Sequence, residues 1–138
     1  MSKDWVADIT EMHEKYGVGT WVRNASDDQL RKFLEFRMGF IKEEFEETLN
    51  AMLEKDPEEI VDGLIDLCVV AIGTLEAFNV NAHEAWDRVH TANMAKEVGV
   101  KPERPNPLGL PDLIKPQGWV GPDHGDNHGI LEDALKPS

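Results

Sequence analysis

The sequence has only one cysteine, no long apolar run and few positive charges. Cys68 has no partner for an internal disulfide, which fits a reducing compartment. The first residues lack the apolar segment of a signal peptide. The most apolar stretch, Leu64–Leu75, is too short to span a bilayer and contains an acid. We therefore expect a cytoplasmic protein that makes no contact with a membrane.

Positive charge is scarce throughout the chain. The 138 residues include 14 lysines and arginines against 27 aspartates and glutamates, and the formal net charge is -13. This balance argues against binding to bare nucleic acid or to anionic membranes, although metal ions can still let an acidic protein bind a nucleotide. A hydrophobic content of 41% is enough for one core, so we expect one domain or one domain with a tail.

Apolar periodicity and capping residues predict four helices with short connections. The predicted helices cover residues 3–16, 26–55, 56–79 and 81–99, with a loop over residues 17–25. Ser26 and Gln29 have the spacing of a capping box, and Asp56 followed by Pro57 is a typical helix start. No segment alternates as a strand would. The pattern predicts an all-α fold, a four-helix bundle.

The composition changes after residue 100. Seven of the eight prolines lie beyond that point, interleaved with glycines and with isolated apolar residues such as Trp119. Such a segment is not helical for long. We expect a helical domain over residues 1–100 and an extended arm over residues 101–138, which packs on the bundle or on a partner subunit.

Acidic residues stand on the second and third predicted helices where apolar residues would be expected. Spacings of three and four place one set on a single face of the second helix: Phe33, Phe36, Phe40, Glu44 and Glu47. Glu43 lies at the border of this face. Asp62, Asp66 and Glu59 fall along one edge of the third helix, which is otherwise apolar on most sides. We expect Glu44, Glu47 and Asp66 to lie in apolar surroundings.

Carboxylates in apolar surroundings need a compensating charge or a proton. Lys42 falls on the other face of the helix, so Arg37 is the one cation expected close by, and a salt bridge from Arg37 to Glu44 is one possible use of it. A divalent cation with oxygen ligands, Mg²⁺ in particular, would resolve the repulsion among the acids. Glu59 ranks lower as a ligand because it occupies the capping position after Asp56. The residues therefore favour a metal site between the two helices.

Two other interpretations remain open from the residues alone. The -13 charge would also suit a non-catalytic acidic helical protein that binds other proteins. The segment Asp123–His128 contains His-x-Asp-x-His, which could bind a transition metal, although a polar tail explains the same residues.

Four segments in order resemble the MazG-like, all-α nucleoside triphosphate pyrophosphohydrolases, which share a fold with dimeric dUTPases and phosphoribosyl-ATP pyrophosphohydrolases. The segments are Glu44–Glu47, which reads Glu-x-x-Glu, Leu64–Thr74 around Asp66, Val89–Lys96, and Lys115–Trp119. One position departs from the family signature: Gly63 stands where the family has Glu. The neighbouring Asp62 is the candidate replacement, and Glu59–Asp62 is the alternative register.

The resemblance implies hydrolysis of a nucleoside triphosphate to the monophosphate and pyrophosphate with Mg²⁺, or with Mn²⁺ in its place. An enzyme similar to phosphoribosyl-ATP pyrophosphohydrolase is the alternative within the same superfamily. The implied metal ligands are Glu44, Glu47, Asp62 and Asp66. The implied catalytic residues are Glu43 and Glu47, and the implied substrate-binding residues are Arg37, Asn93, Lys96, Lys115 and Trp119. Trp119 or Trp21 is expected to stack on the base.

The third predicted helix is apolar on more sides than a four-helix monomer would cover. We therefore expect a homodimer or a dimer of dimers, with this helix at a subunit interface.

Overall fold

The computed structural model describes residues 3–103 and 108–137, and the chain divides into two compact units. The first unit combines Met1–Ala82 with Asn127–Ser138, and the second is His83–Asp126. The elements in chain order are α1 (Trp5–Tyr16), α2 (Val18–Asn24), α3 (Asp27–Leu53), α4 (Pro57–Ala77), α5 (Ala82–Met94), β1 (Glu97–Gly99), β2 (Asp112–Ile114) and α6 (Leu131–Ala134). Helices dominate, so the predicted all-α class is confirmed. The predicted boundary near residue 100 falls inside the second unit.

Capping groups begin and end the long helices where the sequence predicts them. The hydroxyl of Ser26 accepts a hydrogen bond from the N–H of Gln29, and the Gln29 side chain accepts one from the Ser26 N–H at 2.8 Å, which is the predicted capping box of α3. Asp56 caps α4 by accepting from the N–H of Glu59 at 3.2 Å. Gly17 ends α1 in the left-handed conformation.

The core of the first unit is built from residues that are distant in the sequence. Its buried members are Val22, Leu30, Phe78 and Ala134, and Phe33 packs against them. Ile130, next to α6, donates its N–H to the carbonyl oxygen of Phe78 at 2.8 Å. Residues near the C-terminal end of the chain therefore complete the core that α2, α3 and the end of α4 begin.

The predicted loop over residues 17–25 is wrong, because Val18–Asn24 forms α2. This helix has no side-chain cap at its start, and seven residues are too few to be stable alone. Val22 explains its formation, since this side chain is almost fully buried in the core. Tertiary packing, which sequence periodicity over so short a stretch does not reveal, stabilises α2.

The second unit contains α5 and a small antiparallel sheet. The predicted helix over residues 81–99 is too long: α5 ends at Met94, and β1 follows and pairs with β2, with Val98 opposite Leu113. At Gly99 the side chain of Ile114 fills the space that a Cβ atom would need. Gly99 therefore serves a close approach of two strands rather than a helix end. The predicted absence of strands is wrong for this short pair, since three-residue strands show no usable alternation.

Hydrogen bonds attach the segment after β2 to α5 within the second unit. Trp119 donates its indole N–H to the carbonyl oxygen of Ala92 at 2.8 Å. Arg88 forms ion pairs with Glu84 and with Asp126, and its guanidinium also bonds the carbonyl oxygen of Asp123. These contacts hold α5 and residues 119–126 together.

Within the part of the chain that the structure describes, no helix has both the length and the apolar character needed to cross a membrane.

A substitution at Gly129 tests how closely the C-terminal residues pack against the core. Its φ is +54°, and a Cβ atom there would overlap the carbonyl oxygen of Phe78. We expect Gly129→Ala to lower the free energy of unfolding by about 2 kcal/mol or more, through backbone strain and steric overlap. Denaturant unfolding followed by circular dichroism measures this loss.

Gly17→Ala is the matched control, because Gly17 has a similar φ of +71° but no atom within 4 Å of its Cβ position. We expect it to lose only the backbone contribution, about 1 kcal/mol. Equal losses in the two variants would contradict the close contact at Gly129.

Candidate active site

The carboxylates of α3 that were predicted as site residues lie on the part of the helix that packs against α4. Glu44 is half-buried, whereas Glu43 and Glu47 are exposed. The expected apolar surroundings are therefore found only in part. Phe36 and Phe40, which share the predicted stripe, are also exposed, at 65% and 38%. In a single chain, Glu44 is the one α3 acid of this set that loses substantial hydration.

The carboxylates of α4 lie one turn apart. Asp66 is half-buried and Asp62 is exposed. Glu59 is exposed one turn before Asp62, and its N–H is bonded by the Asp56 cap. The lower rank that the sequence gave Glu59 agrees with this position in the first turn.

The pKa of Glu44 is affected by acids of both helices. The pKa of Glu44 is raised above its usual value, first by burial and then by the negative charges of Asp66, Glu47, Glu43 and Asp62, in that order. All the acids predicted to act as metal ligands or catalytic residues thus act on one carboxyl group. The acids of α3 and of α4 form a single electrostatic cluster, which we call the carboxylate cluster: Glu43, Glu44, Glu47, Asp62 and Asp66.

The raised pKa determines how the cluster affects stability. The folded chain holds the Glu44 proton to higher pH than the unfolded chain does, so the folded state binds more protons between the two pKa values. The contribution of Glu44 to stability is complete below the usual glutamate pKa and is lost as the pH rises through the raised value. Above the raised pKa, the ionised Glu44 therefore lowers the stability of the folded chain.

The donor atoms of the carboxylate cluster are of the type that Mg²⁺ prefers, since all are carboxylate oxygens. Among the residues that the structure describes, no group of three or more His, Cys, Asp or Glu side chains stands in an arrangement that could hold a metal ion. The carboxylates of the cluster repel one another. Their side chains would have to change orientation before several of them could bind one cation. Metal binding by Glu44, Glu47, Asp62 and Asp66 therefore stays a prediction.

A close contact between α3 and α4 sets the position of the cluster. Thr48 donates its hydroxyl to the carbonyl oxygen of Glu44 at 2.7 Å, and this hydroxyl fills the space that a Cβ atom at Gly63 would need. A glutamate at position 63, which the family signature has, would not fit this contact without displacing Thr48. Asp62, the neighbour of Gly63, stays the predicted replacement for the family's glutamate. A glycine in mid-helix was the signal for this contact, because glycine disfavours helix and needs a packing reason.

Arg37 contacts α4 rather than the carboxylate cluster. Its Nε donates to the hydroxyl of Thr74 at 3.1 Å and its Nη2 to the carbonyl oxygen of Val70 at 3.0 Å. Burial of this half-buried guanidinium lowers its pKa. The structure records these two bonds rather than the salt bridge to Glu44 that the sequence left open, and a role of Arg37 in substrate binding stays a prediction.

Sequence reasoning missed the polar contacts next to Arg37. A Cβ atom at Gly73 would overlap the Arg37 guanidinium and approach the ring of His13, which is itself buried and paired with Glu76. Gly73 therefore makes room for both side chains between α1, α3 and α4. The partners come from three helices, so spacing along one helix could not have identified them.

The second unit brings together three of the predicted substrate-binding residues. The ammonium groups of Lys96 and Lys115 lie 5.4 and 5.1 Å from the centre of the Trp119 ring. Asn93 is exposed, and its carbonyl oxygen accepts a hydrogen bond from the backbone N–H of Lys96. These residues form a cationic group that can bind an anion, and their role toward a substrate stays a prediction.

The alternative metal site in Asp123–His128 finds no support in the described residues. Asp126 pairs with Arg88, which lowers the pKa of Asp126, and His128 lies 3.2 Å from a carboxylate oxygen of Glu132. Asn127 bonds the backbone of Asn81. Asp126, Asn127 and His128 therefore have structural partners, whereas the buried Nδ1 of His124 has no hydrogen-bond partner among the described residues. No group of three or more potential ligands in this part of the chain is arranged to hold a metal ion.

The contact between Thr48 and Gly63 can be tested by a double-mutant cycle. We expect Gly63→Ala to lower the free energy of unfolding by about 1–3 kcal/mol, because the new methyl group forces the Thr48 hydroxyl from its bond to Glu44. In a Thr48→Ala background the same change should cost clearly less. Equal costs in both backgrounds, measured by denaturant unfolding, would contradict the contact.

Comparison with known proteins supports one family. A family model described as phosphoribosyl-ATP pyrophosphohydrolase matches residues 23–93, just over half of the chain. The match includes α3, α4 and most of α5, and hence every member of the carboxylate cluster. Comparison with curated proteins finds no match. The chain is a pyrophosphohydrolase and belongs to the phosphoribosyl-ATP pyrophosphohydrolase family, within the all-α nucleoside triphosphate pyrophosphohydrolase superfamily.

Proposed function

We propose that the protein hydrolyses nucleoside triphosphates to the monophosphate and pyrophosphate, with Mg²⁺ as the metal and Mn²⁺ as a substitute. The observation that supports this most directly is the close packing of α3 on α4 at Thr48 and Gly63, with Glu44 and Asp66 half-buried on these two helices. Burial, and then the charges of four neighbouring acids, raise the pKa of Glu44. These acids lie within the residues that match the family. A cluster that repels itself at neutral pH is suited to a divalent cation that arrives with a polyphosphate.

Glu44, Glu47, Asp62 and Asp66 would hold the metal through their carboxylate oxygens. Bound there, Mg²⁺ supplies positive charge to the phosphate oxygens and lowers the pKa of an attacking water. Glu43 is exposed at the edge of the cluster, where its carboxylate can accept a proton from that water, and Glu47 is the second candidate for this task. The chain itself thus provides both the ligands and the base.

Cationic side chains would balance the phosphate charge that remains. Lys96 and Lys115 are suited to this task because both ammonium groups lie near one indole ring, that of Trp119. Asn93, on the exposed part of α5, can donate hydrogen bonds to phosphate or sugar oxygens. Arg37 is the weakest of the proposed substrate residues, since α4 accepts two of its hydrogen bonds.

Phosphoribosyl-ATP is the second candidate substrate, and the description of the matching family favours it. It carries the same triphosphate group, so the same carboxylate cluster would act on it. The alternative of a non-catalytic acidic interaction protein is less well supported, because the match identifies an enzyme family.

A pyrophosphate-release screen tests the proposed activity. The substrates are the four ribonucleoside triphosphates, the four canonical deoxynucleoside triphosphates, damaged deoxynucleoside triphosphates and phosphoribosyl-ATP, each with Mg²⁺ or Mn²⁺. We expect turnover of at least one nucleoside triphosphate and a loss of kcat of about 100-fold or more in Glu47→Gln, because a group that holds the charge-stabilising metal is removed.

Glu46→Gln is the control, since Glu46 is exposed and lies near Lys42 rather than in the cluster. It should keep the wild-type rate. Turnover of phosphoribosyl-ATP alone would establish the second candidate instead. Turnover that Glu47→Gln leaves unchanged would exclude the proposed site, and no turnover of any substrate would exclude the proposed reaction.

We also propose that the first unit forms a homodimer or a dimer of dimers through α3 and α4. Several large apolar side chains of these helices are exposed in the single chain: Phe40, Phe45, Leu49, Val61, Leu64 and Ile65. Apolar side chains in such number are typical of a subunit interface. The acids of the carboxylate cluster lie on the same two helices, so assembly would also change their hydration.

Light scattering at micromolar concentration tests this assembly. We expect a mass of twice or four times that of the chain, and a shift toward the monomer in Ile65→Lys, because a charge in an apolar interface disfavours association. Leu135→Lys is the control, since Leu135 is exposed elsewhere in the first unit. A monomeric wild type would contradict the proposed interface.

A further inference from the structure

The first unit contains an open cavity of about 560 Å³ that no step of the proposed reaction uses. Four aromatic side chains, together with two polar ones, line it: Tyr16, Trp21, Phe33, Phe36, Gln29 and Lys32. They come from the end of α1, from α2 and from the first turns of α3. We call this cavity the aromatic pocket.

Two rings of the aromatic pocket, Trp21 and Phe33, are held in place by packing toward the core. Trp21 meets Phe33 edge to face, with ring centres 5.2 Å apart and planes at 87°, and Phe33 in turn lies 5.8 Å from Phe78 in the core. Phe33 is thus a fixed wall of the pocket. The side of Trp21 away from the core stays accessible, at 47% exposure. A planar ring can enter such a pocket without rearranging the core.

The aromatic pocket lies on the same stripe of α3 as the carboxylate cluster. Phe36 and Glu44 are two helical repeats of four residues apart, which corresponds to about 12 Å along the axis. Phe40 lies between them on this stripe and meets Phe36 edge to face, with ring centres 6.1 Å apart. An extended nucleoside triphosphate spans a distance of this order between its base and its terminal phosphates. One end of such a molecule is aromatic and the other is anionic, which matches the two ends of the stripe.

Trp119 is less suited to bind a base. Its indole N–H already bonds the carbonyl oxygen of Ala92, and two lysine ammonium groups lie near its ring. These cations attract phosphate and compete with a base for the face of the indole. In the aromatic pocket the one lysine, Lys32, is 3.1 Å from a carboxylate oxygen of Asp28.

We propose that the aromatic pocket binds the base of the nucleotide substrate, with the ring stacked against Trp21 and Phe36. This inference deepens the proposed function and rests on a nucleotide being the substrate. The rim offers two kinds of donor to acceptor atoms of the base: the Lys32 ammonium, and the amide nitrogen of Gln29, whose oxygen is engaged by the Ser26 N–H. The pocket therefore selects for polyphosphates that carry an aromatic heterocycle.

Binding of nucleoside monophosphates tests the pocket without requiring catalysis. AMP, GMP, CMP and UMP are titrated separately into the full-length protein in the absence of divalent ions, and binding is followed by NMR. We expect at least one of them to bind, and its Kd to rise about tenfold or more in Trp21→Ala and in Phe36→Ala, because each loses a stacking surface. Trp21→Phe should restore most of the affinity.

Trp86→Ala is the matched control, because Trp86 is 73% exposed on α5 and lies outside the pocket. It should bind like the wild type. Phe36 is itself exposed, so Phe36→Ala keeps the fold even if Trp21→Ala weakens the packing on Phe33. Wild-type affinity in folded Phe36→Ala and in Trp21→Ala would overturn the proposal, as would failure of all four monophosphates to bind.

The two proposals fail in different ways. If a monophosphate binds through Trp21 and Phe36 but no triphosphate is hydrolysed, the proposed reaction is wrong and the aromatic pocket stands. If triphosphates are hydrolysed and both alanine variants keep the wild-type KM, the reaction stands and the base binds elsewhere.

Discussion

Repulsion among carboxylates around Glu44 is the constraint on which the rest of this structure depends. Packing of α3 against α4 partly buries Glu44 and brings acids of both helices near it, and these two effects, burial first, raise its pKa. The contact between Thr48 and Gly63 holds α3 and α4 close together next to these acids. A chain selected for stability alone would place lysines or apolar residues there. The helices are instead held in an arrangement that a cation would relieve.

Among the residues that the structure describes, Arg37 and Lys42 have partners outside the carboxylate cluster. Arg37, on the same helix as Glu44, donates to Thr74 and Val70 on α4. Lys42 lies near Glu46, outside the carboxylate cluster. In a chain of a pyrophosphohydrolase family, such an acidic cluster would suit the metal ion and the polyphosphate that we propose to bind there.

Local signals in the sequence predicted the long helices well. Ser26 with Gln29, and Asp56 at the start of α4, act through residues three positions away, so the sequence shows both partners at once. The helix α2 and the strand β1 were missed because both depend on distant partners: Val22 needs the core, and Glu97–Gly99 needs β2. Short elements of this kind leave no periodicity to read.

In the candidate site, too, features within one helix could be predicted from the sequence, and contacts between helices could not. Helical spacing put Glu44 and Glu47 on one face of α3 and Asp62 and Asp66 along one edge of α4, and the structure brings these four acids into one field. The burial of each acid could not be predicted, because it depends on how α3 and α4 cross. The partners of Arg37 on α4 were also hidden, since they lie more than thirty positions away along the chain. The aromatic pocket could not be predicted for the same reason, although Trp21 was one of two residues expected to stack on a base.

Repulsion at Glu44 is tested most directly by the melting temperatures of the wild type and of Glu44→Gln at neutral pH, with EDTA and with Mg²⁺. We expect Glu44→Gln to melt higher than the wild type in EDTA, because one repelling charge is gone. We also expect Mg²⁺ to raise the melting temperature of the wild type and to have little effect on Glu44→Gln. A wild type that does not respond to Mg²⁺ or Mn²⁺, and that melts no lower than Glu44→Gln in EDTA, would contradict the repulsion at Glu44.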